Sequence, residues 1–189
     1  KNFVPDYLYV GYYLTLSILT LMPAFFLSFF KETNIETSSS TNITIERSYI
    51  EFLSDPRYLQ ALTAASFAYV VMAFLMTATP ISMHIIHKFS LEKTGLVIQF
   101  HVLSMFLPSL FTGSLIKRYG YSKMMYLGVV FYIITILMSF FEPTFITYLL
   151  GLVFLGIGWN FLFVTGTSLL VTTYKPEEKF KAQGFNDLV

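Results

Sequence analysis

Of the 189 residues, 55% are hydrophobic and only 12% charged, with a mean hydropathy of +0.65. Soluble domains carry about a quarter charged residues, so a chain this poor in charge cannot cover a water-facing surface, and a soluble globular fold is excluded. The net charge of +1 gives no reason to expect nucleic acid as a partner, and the absence of cysteine excludes disulfides and thiolate metal sites.

Crossing the hydrocarbon of a bilayer takes about 20 mostly apolar residues, and five stretches meet that length. The first, 7–30, carries no charge. A polar connection follows over 31–58; its centre, Thr37 to Thr44, is nearly all Ser, Thr and Asn, a flexible composition. Residues 45–53 of this connection read as a short amphipathic helix on the membrane surface. The second span, 59–79, is expected to end at Pro80. The third, 96–116, holds one ionisable residue, His101. Spans four and five cover 124–141 and 147–173, separated by the tight turn Glu142-Pro143-Thr144. The division expected is therefore a first helix over 1–30, a linker over 31–58, and four helices with a trailing segment over 59–189.

Lys and Arg set the orientation. The loops after spans one, three and five hold Lys31, Arg47, Arg57, Lys117, Arg118, Lys123, Lys175, Lys179 and Lys181; the other side holds Lys1, Lys88 and Lys93. Nine against three places the linker, the Lys117–Lys123 turn and the C-terminal segment in the cytoplasm. The sequon Asn42-Ile43-Thr44 then falls inside, where it would not be glycosylated.

Polar groups within spans are the candidates for function, because a bilayer makes them expensive. His101, Ser104, Met105 and Pro108 share one helical face; His101 serves either as a proton or ligand site or as a residue tolerated near the interface. On the second span, Ser66, Tyr69, Ala73 and Thr77 form a small polar stripe, either a cavity wall or a packing seam. Asn160 shares a face with Gly156, Phe163 and Thr167, and at mid-bilayer it needs a partner, a neighbouring helix or a ligand. Trp159, the single tryptophan, sits away from the interfacial belts, which suits a cavity lining. Gly151, Gly156, Gly158 and Gly166 read as packing sites, and His84 and His87 as solvated and inert. No Asp or Glu lies within a span. No catalytic residue, metal ligand or cofactor is assigned, and the chain is not read as an enzyme.

The turn Gly113-Ser-Leu-Ile-Lys117-Arg118-Tyr-Gly120-Tyr-Ser-Lys123 resembles the cytoplasmic loop G-x-x-x-D-R-x-G-R-R of the major facilitator superfamily of secondary transporters. It matches at Gly113, Arg118 and Gly120 and has Lys123 as a late basic residue. It departs at Lys117, where the family has Asp, and at Tyr121 and Ser122, so the Asp-based charge lock is not carried over. Gly113 is expected to let helices approach, and Gly120 to supply a left-handed turn. The tail Tyr174-Lys175-Pro176-Glu177-Glu178-Lys179-Phe-Lys181-Ala-Gln-Gly184 resembles the stretch after the fourth helix of a six-helix half. Gly156-Ile-Gly158-Trp159-Asn160-Phe161 and Met76-Thr77-Ala-Thr79-Pro80 resemble uncharacterised bacterial permeases of this superfamily.

The resemblance implies an all-α, polytopic helical bundle with part of that fold: the last helix of one half and four helices of the other, helices 6–10 of 12. It further implies transport of a small solute by alternating access, as a uniporter or coupled to protons or sodium. The partners would be the lipid bilayer and further helices of the same protein, in a bacterial inner membrane. Tyr69, Thr77, His101, Trp159, Asn160 and Thr167 are the cavity candidates, and Gly113, Arg118, Gly120 and Lys123 the gating-loop motif. A channel or assembly subunit is the alternative, with a membrane-embedded enzyme behind it.

Overall fold

A computed structural model of the chain describes residues 10–29 and 47–189. Every regular element among them is helical. Helix α1, Val10–Leu27, belongs to a unit of its own over 1–44. Its hydroxyls bond back to its own carbonyls, Thr15 Oγ1 to Gly11 O and Ser17 Oγ to Tyr13 O, both at 2.8 Å. Such back-bonding lets an apolar helix carry hydroxyls in lipid. The Thr37–Thr44 linker and the sequon lie outside the described residues.

The second unit, 45–189, opens with α2, Tyr49–Ser54. Ser48 and Glu51 close its start reciprocally: Glu51 N–H donates to Ser48 Oγ (3.3 Å) and Ser48 N–H to the Glu51 carboxylate (2.6 Å). Asp55 ends α2 and caps α3, Pro56–Pro80, accepting from the N–H groups of Arg57 and Tyr58. With Pro56 at the first helical position, α3 starts three residues before the expected 59. Nor does the helix stop at Pro80; it continues as a π-helical turn over Ile81–Ile86, whose wider ring absorbs the bond that the proline cannot make.

The third expected span is broken. Helix α4, Leu91–Phe106, and α5, Ser109–Tyr119, meet at Pro108 with a 41° bend. Proline has no N–H to offer Ser104 and its ring crowds that carbonyl, so the regular ladder lapses between Leu107 and Thr112. Gly120, at φ +84°, turns α5 directly into α6, Tyr121–Met138. Thr144 caps α7, Phe145–Leu170, through the Thr147 N–H at 3.2 Å. A 3-10 turn at Pro176–Glu178 leads into α8, Lys179–Leu188. By length and apolarity, α3 with its π turn, α6 and α7 can each cross a membrane, and the bent α4–α5 pair meets the same requirement when its two halves are taken together.

Helix α7 is the axis of this unit, because three glycines open three of its sides. A Cβ at Gly158 would lie 3.0 Å from Gly128 O of α6; at Gly166, 3.0 Å from Ala61 O of α3; at Gly156, 2.7 Å from His101 O of α4. In lipid the apolar effect does not hold helices together, so this close approach is what packs them. Gly151 is different: its nearest neighbour, Met138 Cβ, would be at an ordinary 3.7 Å. At Gly113, among the described residues, nothing lies within 4 Å of where its Cβ would be.

Candidate functional site

Gly166 directs α7 toward α3 and Gly156 directs it toward α4. At about 100° per residue, Trp159 and Phe163 fall between those two directions. Their rings stack with centroids 4.7 Å apart and planes 11° apart, and Phe106 of α4 meets the indole edge-on at 6.4 Å. On α3, Phe67 turns to Tyr132 of α6 (6.5 Å). The stripe centred on Tyr69 and Ala73 is therefore turned away from α6. Tyr69 is 57% exposed, Thr77 is exposed with its hydroxyl donating to Ala73 O at 2.9 Å, and Thr167 is half-buried with its hydroxyl on Phe163 O. The Trp159 Nε1–H is buried without a partner among the described residues. Trp159 and Phe163 thus stack as a pair on α7, with the indole N–H enclosed.

Asn160 and His101 stand elsewhere, both fully buried. Asn160 Nδ2 donates to Met105 O (2.7 Å) and Ser109 Oγ (2.5 Å), while its Oδ1 accepts from Thr112 Oγ1 (2.6 Å). His101 Nδ1 lies 2.8 Å from Leu152 O. A carbonyl only accepts, so that nitrogen carries the proton, and the buried Nε2 has no partner among the described residues.

The turn motif sits at the basic end. Arg118 lies over the Tyr119 ring, 5.3 Å from its centroid, and Gly120 supplies the left-handed turn. Beside them Arg57, Gln60, Tyr121, Lys123 and Thr172 line a cavity of about 340 Å³. Gln60 Nε2 reaches across to Ser122 Oγ at 3.1 Å, linking α3 to the start of α6.

Two constellations escaped the reading of the sequence. The first joins Arg47 to Glu178: Nε to Oε1 at 2.9 Å and Nη2 to Oε2 at 2.8 Å, with Nη2 also on Thr173 O at 2.7 Å. The Lys175 N–H adds a fourth contact, 3.0 Å from Oε2. Hydrogen bonds from the Arg47 guanidinium, above all, hold the Glu178 carboxyl down at about 2, well below its ordinary 4.5, and the same pair raises Arg47. Phe52 packs under the guanidinium (4.5 Å), and Tyr58 OH donates to Ala182 O (2.8 Å). In the sequence Arg47 is a basic loop residue, and Glu178 in the tail motif is the one signal of its partner.

The second constellation lies at the opposite end. Ser82 Oγ and Tyr148 OH are 2.6 Å apart, and His87 Nδ1 lies 3.0 Å from both Tyr148 OH and Ser82 O. These groups edge a cavity of about 400 Å³ whose other walls include Leu75, Met138 and Leu152. His84 bonds Phe89 O at 2.8 Å; both histidines are exposed, as a solvated reading expects, and each also holds a local contact. Among the described residues no three His, Asp or Glu side chains gather as a metal site.

Comparison with known proteins identifies the lineage. The family model described as Major Facilitator Superfamily matches residues 7–189. The Riboflavin transporter RfnT of Brucella anthropi is 34% identical over 189 residues, all of this chain and 47% of that protein. Two Bacillus subtilis proteins named as uncharacterized MFS-type transporters, YddS and YdeG, are 35% and 36% identical over 125 and 122 residues, about 65% and 64% of this chain and 28% of each relative. The chain thus spans about half the length, or less, of the curated relatives it matches. No solved structure gives a significant match.

Proposed function

Because the chain belongs to the Major Facilitator Superfamily, a family of multi-pass membrane proteins, we propose that the protein of which it forms part moves a small organic solute across the membrane by alternating access. The observation that carries this reading is the match of the family model over 7–189, joined by a riboflavin transporter alignable along the whole chain. We take the basic end, with the Gly113–Lys123 turn, as cytoplasmic on the strength of the lysine and arginine bias, and the membrane as a bacterial inner membrane from the chain's similarity to bacterial transporters. The solute is a flavin or a similarly flat heteroaromatic molecule. It meets Trp159 and Phe163 on α7 and Tyr69, Thr77 and Thr167 around them, with Asn160 and His101 buried behind that wall. Uniport and ion coupling are both compatible with this arrangement.

Counterflow of labelled riboflavin in proteoliposomes holding the full-length protein tests this directly. Exchange above empty vesicles is expected. Trp159→Ala should raise KM about fivefold for the loss of one stacked ring, roughly 1 kcal/mol, and Tyr69→Ala should act in the same direction. Exchange at the empty-vesicle level overturns the flavin assignment, and unchanged KM in both variants overturns the assigned wall.

A further inference from the structure

The break between α4 and α5 is gripped from outside by one residue. In an unbroken helix the Ser109 N–H would meet Met105 O; here that carbonyl accepts from Asn160 Nδ2 of α7 instead, at 2.7 Å. The same amide reaches Ser109 Oγ and Thr112 Oγ1 beyond the break. Thr112 divides its hydroxyl between Asn160 and Pro108 O, at 2.6 and 2.9 Å. Asn160 thus holds both half-helices at once, with all of its contacts on the two sides of Pro108.

The two half-helices are anchored unequally. Helix α4 is fixed to α7 by the Gly156 approach and by His101 on Leu152 O. Beyond Asn160, α5 meets its neighbours chiefly through Ile116, in an apolar cluster with Met124 and Phe161. Such a contact can slide without breaking hydrogen bonds. Among the described residues, Leu110 and Phe111 are exposed and Gly113 has no neighbour within 4 Å of a Cβ.

We propose that Pro108 is a hinge and Asn160 its latch, so that α5 swings at the basic end while α4 stays fixed on α7. With 11 residues, α5 is about 16 Å long, and a swing of about 10° carries its far end, with Arg118 and Gly120, by about 3 Å. Because Gly120 passes directly into α6, such a movement carries the start of α6 with it and so displaces the turn that holds the gating-loop motif. Its use in gating rests on the transport reading above; the hinge itself does not, and is measured without any solute.

The test uses the full-length, cysteine-depleted protein in nanodiscs, with spin-label pairs placed by substitution. One pair, Ser114→Cys with Phe74→Cys, reports α5 against α3. The control pair, Leu103→Cys with Phe74→Cys, reports α4 against the same reference. In Asn160→Ala and Thr112→Val the first distance distribution should broaden or shift by about 3 Å, the lever estimate above, while the control is unchanged. Thr112→Ser, which keeps the hydroxyl, should restore the parent distribution. The proposal is overturned if the α5 distance keeps its parent width in Asn160→Ala, or if both pairs broaden together, since that would be general loosening. Should Asn160→Ala fail to fold, the Thr112→Val and Thr112→Ser pair decides by the same criteria.

Discussion

At the basic end of the unit spanning 45–189, elements distant in sequence are joined by an ion pair; at the opposite end the same bundle is joined by hydroxyl and imidazole groups. Arg47 and Glu178 share a two-pronged ion pair that ties the start of α2 to the segment after α7. Ser82, His87 and Tyr148 tie α3 to α7 through a hydroxyl and imidazole cluster beside a cavity of about 400 Å³. A bidentate guanidinium–carboxylate pair fixes orientation as well as distance. A shared hydroxyl fixes neither firmly, and each of its bonds is individually weaker. The bundle is therefore clamped at one end and loosely laced at the other, a difference that substitutions can reverse or enlarge.

The largest effect is expected at the clamp. Exposed pairs contribute under about 1 kcal/mol, and breaking a buried one costs about 3–5 kcal/mol. With side-chain exposures of 30% for Arg47 and 6% for Glu178, the pair falls between these limits. Arg47→Ala should therefore destabilise by about 2–3 kcal/mol, seen as a lower thermal midpoint of the full-length protein in detergent. A change within about 0.5 kcal/mol would mark the clamp as an idle surface pair. Next in size is Tyr148→Phe, which removes the hydroxyl shared with Ser82 and His87 and should cost about 1 kcal/mol. Should it exceed Arg47→Ala, the contrast between the ends is reversed.

The smallest and sharpest test is acid. Glu178 titrates at about 2 in the folded protein against an ordinary 4.5. Its stabilisation is complete above pH 4.5 and is lost as pH falls toward 2. The difference in midpoint between the parent and Arg47→Ala should hold steady from neutral pH down to about 5, then shrink below the ordinary carboxylate range. A difference that grows on acidification would contradict the assignment of this carboxylate to Arg47.

Much of this architecture was legible because the bilayer imposes few solutions. Runs of about 20 apolar residues read directly as spans, and the observed α6 and α7 start within three residues of the expected positions. The glycines on α7 announced helix contacts, yet three of them serve three different neighbours, a division that spacing alone cannot make. Pro108 stood in plain view within the third stretch. Spacing puts it on one face with His101, and hydropathy, averaged over a window, does not register one missing N–H. The Asn160 partners were likewise outside reach: the sequence demanded a partner at mid-bilayer, and only the fold supplied Met105, Ser109 and Thr112.

By itself, then, the amino-acid sequence determined a polytopic helical membrane protein, the left-handed turn at Gly120 and the superfamily marked by the Gly113–Lys123 loop. Those follow from local chemistry: the cost of unpaired backbone in lipid, and the freedom of a residue without Cβ. Tertiary structure decided the pairings, Arg47 with Glu178 across 131 positions and Asn160 with Met105 across 55. Such contacts depend on how neighbouring helices are rotated about their axes. That rotation is set by where small residues allow close approach, and it becomes defined only when all the helices pack together.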